Sequence, residues 1–497
     1  MRLPLPRGRA IGAAIFLALC DAAAGTAAAG SRTLGTIDLA PCDLSDSAGT
    51  EILQAECGTL KVPENPAAPG GTAIGLKIAL VRARATDPPS DPVFFLAGGP
   101  GQSALGSYPS IAGAFERIRE KRHIVLVDQR GTGGSNRLAC RELEEDPGLL
   151  QGADDLEGQK RLAHDCLADL PGDPRFYTTS DAVRDLEAVR VAIGAPVINL
   201  VGGSYGTRVA QEYLRRHPET TRSVILDGVA PAEVILGADH AKNLDAALAA
   251  ISGRCAGSQA CRETFGDPLG TLRRLLTDLR RSPRTVTFTD PKTGATATDT
   301  LTADGVRAVA RLFAYQPETA AILPLVLHEA AQGRPQALVA HGRLMLSALS
   351  AQIAHGMQLS VMCTEDAPFL KPDPDDTGTV LGPIFVEAIL AQCASWPRGA
   401  LPEDFHRPVV SDRPVLILSG ELDPVTPPRY GDQVLKELRR ARHLVVPNVG
   451  HIAMMRGCMP RLAAQFIDTL DPQALDATCL DRIPAVPAFV THNGWKP

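Results

Sequence analysis

A serine, an aspartate and a histidine, each set just past a short apolar run, carry the chemistry this sequence offers. Gly202-Gly203-Ser204-Tyr205-Gly206 follows the run Val197–Val201 and precedes a helical pattern through Ala210, Tyr213 and Leu214. A Gly-x-Ser-x-Gly between a strand and a helix is a nucleophile elbow: the glycines permit a sharp turn that lifts the serine hydroxyl out of the sheet. With 45 glycines in the chain the pattern alone is weak, and its strand-turn-helix context is what gives it meaning. A serine hydroxyl needs a base to take its proton and an acid to orient that base. Asp423, in Gly420-Glu421-Leu422-Asp423-Pro424, follows the run Val415–Leu418, and His451, in Asn448-Val449-Gly450-His451, follows His443–Val446. The order Ser, Asp, His suits a triad assembled at strand ends. Ser204 is therefore assigned as nucleophile, His451 as general base and acid, and Asp423 as the carboxylate that sets the imidazole tautomer. Asp227, after Val224–Leu226, is the main rival for the acid, and Glu421 a second one.

An acyl transfer also needs donors for the oxyanion. The backbone N–H of Tyr205, next after the nucleophile, supplies one. The loop Phe95-Leu96-Ala97-Gly98-Gly99-Pro100-Gly101 supplies the other. Pro100 has no N–H, so Gly99 is the first choice and Gly101 the second.

These residues need a scaffold that brings strand ends together. Short apolar runs (78–81, 93–96, 124–127, 197–201, 224–226, 415–418 and 443–446) alternate with helical patterns such as Asp181–Ile193, where Val183, Leu186, Val189 and Ile193 make one apolar face before Gly194. That alternation predicts an α/β fold with a mostly parallel sheet flanked by helices. From 232 to 407 it stops. Helical patterns at 245–251, 305–313 and 335–353 and a hairpin around Asp290-Pro291-Lys292-Thr293-Gly294 predict an inserted, mainly helical second domain between core parts 30–231 and 408–497. The stretch Lys371–Gly378 reads as a solvated loop, since Pro374 interrupts any calcium-loop spacing.

Composition bounds the function classes. The 497 residues are 44% hydrophobic and 21% charged, a globular balance with room for two or three domains. A net charge of −6 and the lack of a basic run argue against a nucleic-acid partner. Arg2, Arg7 and Arg9 precede the apolar stretch Ala10–Leu19, and Ala22-Ala23-Ala24 and Ala27-Ala28-Ala29 follow. This is a secretory signal peptide over 1–29, implying an exported protein, periplasmic or secreted, with no integral membrane segment after its removal. Lipidation at Cys20 is disfavoured by the bulky Leu19 before it. The other cysteines fall as near neighbours, Cys42 with Cys57, Cys140 with Cys166, Cys255 with Cys261, Cys363 with Cys393 and Cys458 with Cys479, which suits five sequential disulfides in an oxidising compartment. No metal-binding spacing occurs, so neither a metal nor another cofactor is expected.

Gly98-Gly99-Pro100-Gly101-Gln102-Ser103, Asp128-Gln129-Arg130-Gly131-Thr132-Gly133-Gly134-Ser135 and the elbow together resemble the signatures of the proline iminopeptidase and tripeptidyl aminopeptidase branch of the α/β-hydrolases. The resemblance covers about 60 to 231 and 408 to 470. It implies an α/β-hydrolase core with a helical cap and cleavage of short peptides from a free N-terminus. Ala97 stands where the iminopeptidases have histidine, which points to the secreted tripeptidyl-aminopeptidase-like subgroup. A free amine calls for a carboxylate anchor, and Glu365 and Asp366, beside the Cys363 bridge, are the candidates. Asp128 and Arg130 are expected to form a structural charge pair under the oxyanion loop. The functional expectation is an exported serine exopeptidase. A carboxylic ester hydrolase with the same triad is the alternative within enzymes, and a non-catalytic binding protein of the same fold the alternative outside them.

Overall fold

In the computed structural model, which describes residues 32–46, 49–140 and 155–496, the short apolar runs become strands of one ten-stranded sheet. The signal peptide expected over 1–29 lies outside the described residues. Strands β1 (Arg32–Leu34), β2 (Ile37–Ser45), β3 (Ile52–Pro63) and β4 (Ala73–Val81) are antiparallel. Strands β5 (Val93–Leu96), β6 (Ile124–Val127), β7 (Ile198–Gly203) and β8 (Thr221–Asp227) run parallel to one another. A separate hairpin, β9 (Arg284–Thr289) and β10 (Thr296–Leu301), precedes β11 (Val415–Gly420) and β12 (Ala441–Val446), which extend the parallel part. The order across the large sheet is β1-β2-β3-β4-β6-β5-β7-β8-β11-β12. Because β5 lies between β6 and β7, the chain changes direction across the sheet there. The loops leaving β5 and β7 therefore open a crevice at the carboxyl ends of the strands, where α/β sheets place ligands.

Strand period decides which side chain meets which layer. Phe94, Leu80, Val125, Leu200, Leu226 and Ile417 pack into the core on one face of the sheet. Their neighbours Phe95, Val81, Leu126, Val201, Ile225 and Leu418 pack into the core on the other. Such doubly buried strands read as unbroken apolar runs, which is why they were legible. Strands β1 to β3 were not anticipated, because β3 exposes or half-exposes most of its side chains and its sequence, Ile-Leu-Gln-Ala-Glu-Cys-Gly-Thr-Leu-Lys-Val-Pro, has no such run.

The helix Thr179–Ala192 starts on a capping box in which Thr178 and Asp181 exchange hydrogen bonds, and its apolar face, Val183, Leu186 and Val189, is buried. Gly194, at φ 72°, turns the chain out of it. Between β8 and β11 the chain is helical apart from the β9–β10 hairpin, whose turn is closed by Asp290 accepting from Lys292 and Thr293. Leu244, Leu276, Val306, Phe313, Leu323 and Leu338 give this segment an apolar core of its own. The five disulfides join cysteines in the sequential order expected. Among the described residues no helix is long and apolar enough to cross a membrane.

Candidate active site

Ser204 stands at the turn from β7 into the helix Tyr205–Arg216, with φ 54° and ψ −123°. That backbone costs a residue bearing a Cβ roughly 1–3 kcal/mol, so its surroundings must enforce it. They do so by close approach. A Cβ at Gly206 would lie 2.1 Å from the Leu96 carbonyl oxygen, and one at Gly202 would lie 2.5 Å from that of Gly206. Gly98 of the preceding loop sits so near that a Cβ there would be 3.1 Å from Ser204 Cβ. The Ser204 N–H donates to the Asp227 carbonyl at 2.9 Å, tying the elbow to the next strand.

His451 and Asp423 meet across the ends of β12 and β11, with His451 Nδ1 2.8 Å from Asp423 Oδ2. The carboxylate is held on every side: its Oδ1 accepts the N–H groups of Val425 and Thr426 at 2.8 Å each, and the Thr426 hydroxyl donates to Oδ2 at 2.8 Å. This leaves Nε2 of the imidazole to take a hydroxyl proton. Burial disfavours ionised Asp423, but the His451 charge and these donors outweigh it and hold the carboxyl below its ordinary range. Burial likewise opposes a charged His451, yet the charge and hydrogen bond of Asp423 prevail and raise the imidazole above its usual value. Tyr315 supports the ring from the helical segment: its carbonyl accepts the His451 N–H at 2.7 Å, and its ring meets the imidazole edge-on with centroids 5.3 Å apart. Gly450 is required at this crossing, since a Cβ would lie 2.2 Å from the Tyr315 oxygen.

The rivals for the acid take other partners. Asp227 accepts from the N–H groups of Ala453 and Met454 at 2.8 Å each, and burial pushes it up to about 6. It therefore shapes the loop after His451. Glu421 pairs with Arg254 at 2.9 Å on the surface. Gly228, just past β8, fits at φ 64° with room for no side chain, since a Cβ would lie 3.0 Å from His451 Cε1 and 3.1 Å from Thr426 Oγ1. Gly228→Ala is expected to push the imidazole off Asp423 and lower kcat at least about tenfold, a loss a ring displaced by a fraction of an ångström can cause. Unchanged kcat in steady-state assays would show that the ring tolerates the shift.

Gly99, at φ 107°, and Pro100 line one cavity with Ser204 and Tyr205, while Tyr205 opens its helix, where backbone N–H groups lack intrahelical partners. Gly101 turns instead toward the helical segment, its carbonyl accepting from Ala354 at 2.9 Å. The cavity has a volume of about 770 Å³ and is walled on the far side by Arg311, Phe385, Met362 and Ile389.

Two expectations are corrected. Glu365 and Asp366 do not line the cavity. Each is wholly buried, Glu365 accepting from the Thr179 N–H at 2.6 Å and its hydroxyl at 2.8 Å, and Asp366 holding Arg208 at 2.9 and 3.0 Å through both oxygens. A buried carboxylate already paired with arginine has no free face for a substrate amine. Thr179 Oγ1 also lies 2.7 Å from the Tyr205 hydroxyl, which accepts from Gln129 at 3.1 Å, so Glu365 ends a hydrogen-bonded chain behind the nucleophile turn. Asp128 and Arg130 are not paired with each other either. Asp128 accepts from the Ser103 hydroxyl at 2.5 Å and from the N–H groups of Leu105 and Gly134, while Arg130 makes a two-point bridge to buried Asp185, 2.7 Å at each contact.

Burial raises the Glu365 carboxyl to about 8 from 4.5, with the Arg208 charge opposing. A group whose folded value is raised contributes stability that is complete below its unfolded value and lost as pH rises through its folded one. The thermal transition of the native protein is thus expected to decline between about pH 4.5 and 8 relative to Glu365→Gln, which keeps a neutral donor and acceptor there. Parallel melting-temperature profiles would refute this, and a KM increase confined to free-amine peptides would restore the anchor role.

Thr426 and Tyr315 were missed. Thr426 had a local signal, since a threonine three residues after an aspartate in a turn favours side-chain to backbone bonding. Tyr315 had none, because its partner is 136 residues away in sequence and the contact exists only in the assembled fold.

A nucleophile elbow at the switch point of a parallel sheet, together with a histidine held by a carboxylate at the ends of the last two strands, defines the α/β-hydrolase class. Residues 91–250 match the α/β-hydrolase fold family and residues 379–479 match TAP-like protein. The chain has the α/β-hydrolase fold, and the proteins it resembles are serine hydrolases and peptidases. It is 24% identical over 457 residues to serine protease Hip1 of Mycobacterium tuberculosis, covering 81% of this chain and 83% of that one. Over 191 residues it is 30% identical to the hydrolase YuaR of Escherichia coli, a match spanning 37% of each chain. Over 190 residues it is 27% identical to a tripeptidyl aminopeptidase of Streptomyces coelicolor, spanning 35% of each.

Proposed function

We propose that this protein is an exported serine aminopeptidase that cleaves short peptides near a free N-terminus through an acyl-enzyme on Ser204. The observation that carries the reading is the closed setting of the serine: Ser204 opens into a cavity of about 770 Å³ whose far wall comes from the helical segment. That volume is in the range of pockets that enclose small ligands. It suits a few residues of extended peptide and excludes a folded protein. Residues 232–407 then act as a cap on a core of 30–231 and 408–497.

In this reaction His451 Nε2 takes the proton of Ser204 Oγ as the oxygen attacks the scissile carbonyl. The N–H groups of Tyr205 and Gly99 receive the oxyanion. His451 returns the proton to the departing amine as the C–N bond breaks, and a water activated by the same imidazole releases the N-terminal fragment. Asp423 keeps Nδ1 protonated throughout and offsets the imidazolium charge. Five disulfides support residence in an oxidising compartment, and the peptidase names of the relatives support peptide substrates.

The test compares amide chromogens linked to Pro, Ala and Ala-Ala-Pro, each with a free and an acetylated N-terminus, beside a short-chain aryl ester. Hydrolysis of the free-amine amides and not the acetylated ones is expected, and the series shows whether one or three residues leave. Turnover of the ester alone would overturn the peptidase reading in favour of a carboxylic ester hydrolase.

A further inference from the structure

Among the described residues that line the cavity, one cation has no carboxylate at ion-pair distance. Of the arginines that line it, Arg307 pairs with Asp304 and Arg161 with Asp155. Arg311 has no carboxylate within ion-pair distance among the described residues. Its guanidinium lies over the Phe385 ring, 4.6 Å from the centroid, and donates to the Tyr315 hydroxyl at 3.4 Å. Both contacts fix its direction without cancelling its charge. Phe385 in turn stacks on His240 at 5.2 Å, and burial together with the Arg311 charge keeps His240 neutral, pushed down to about 3. The Arg311, Phe385 and His240 side chains therefore form a stack that carries a single positive charge.

Its position matters as much as its charge. Arg311 sits one helical turn before Tyr315, the residue whose ring packs on His451 and whose carbonyl holds the His451 N–H. A guanidinium that touches Tyr315 inside the cavity of Ser204 is close to the group that protonates the departing amine. Partly enclosed, preorganised arginine binds carboxylates well, through planar charge-assisted hydrogen bonds.

We propose that Arg311 is a carboxylate-binding subsite, so that the preferred substrates are short peptides bearing a carboxylate near the scissile bond. Either an acidic side chain or the free C-terminus of a short leaving peptide provides this group. The inference rests on the peptidase reading for its substrate class, and the experiment keeps the two separable.

The ratio of kcat/KM for carboxylate-bearing over neutral partners is measured in two peptide pairs at low salt. One pair exchanges Glu for Gln next to the scissile bond, and the other exchanges a C-terminal acid for its amide. A third pair exchanges a succinate mono-aryl ester for a neutral aryl ester of similar length. In the native protein at least one ratio is expected to exceed about tenfold, the scale of a hydrogen bond to a charged group. The pair that shows it identifies the source of the carboxylate. Arg311→Met, of similar length and without charge, is expected to bring that ratio close to one, and Arg311→Lys to restore part of it. A native ratio near one in all three pairs would overturn the subsite, as would a ratio unchanged in folded Arg311→Met. Cleavage of the esters with no cleavage of any peptide would overturn the peptidase reading instead, and the ester ratio would then decide the subsite alone.

Discussion

Ser204→Ala is expected to lower turnover of every substrate by about a million-fold, the cost of removing the nucleophile from a working triad. The fold should not register the change. The Ser204 hydroxyl makes no capping bond to its own helix, and the strain at φ 54° belongs to the backbone and persists in alanine. A thermal transition within a few degrees of the native one, with activity gone and ligand binding retained, is the expected result. Ser204→Gly should be equally inactive yet more stable by about 1 kcal/mol, since glycine accepts a positive φ without the Cβ penalty, measurable by denaturant unfolding. Substantial peptidase activity in either variant would remove Ser204 from the mechanism.

The second large effect is expected at Asp423. Its Oδ1 accepts two backbone N–H groups, and its Oδ2 faces His451 Nδ1. In Asp423→Asn the amide oxygen must stay with those N–H groups, so the amide nitrogen turns toward Nδ1. A donor there forces Nδ1 to accept and puts the ring proton on Nε2, where it blocks the base. The loss in kcat is expected to be about 10⁴-fold. The pH dependence gives an independent readout. In the native protein Asp423 holds the His451 value above the ordinary 6.5, so the imidazole stays protonated, and activity stays low, up to a pH above that value. Without the Asp423 charge, burial and Arg311 both favour the neutral ring, and the acid limb of kcat/KM for the residual activity should move to lower pH. An acid limb that did not move would mean that a different group titrates.

The carboxylates of the helical segment show where local reading stops. Met362-Cys363-Thr364-Glu365-Asp366 contains two adjacent acids beside a disulfide, which reads as a site; in the fold both acids are buried and neither lines the cavity. The partner of Glu365 is Thr179, 186 residues away, and that of Asp366 is Arg208, 158 residues away. Nothing near 365 in sequence announces either. Arg130 shows the same limit, since its partner was assigned to nearby Asp128 and is in fact Asp185 on the helix Thr179–Ala192.

What the sequence determined by itself is what neighbouring residues can enforce. Unbroken β-branched runs specify strands buried on both faces, the elbow glycines specify a turn that carries a serine at positive φ, and the Thr178 and Asp181 pair starts its helix. Chain order and strand ends were enough to pick Asp423 and His451 as a couple, because residues that leave parallel neighbouring strands at the same edge must emerge close together. Only the tertiary structure decided the rest: that Tyr315 braces His451 from another layer, that Glu365 is sealed behind Tyr205, and that Arg311 lines the cavity with no counter-charge among the described residues. Burial and charge pairing depend on which distant surfaces meet. A side chain's own sequence neighbours do not encode that meeting, so the same acidic residue is an anchor in one packing and a neutral hydrogen-bonding group in another.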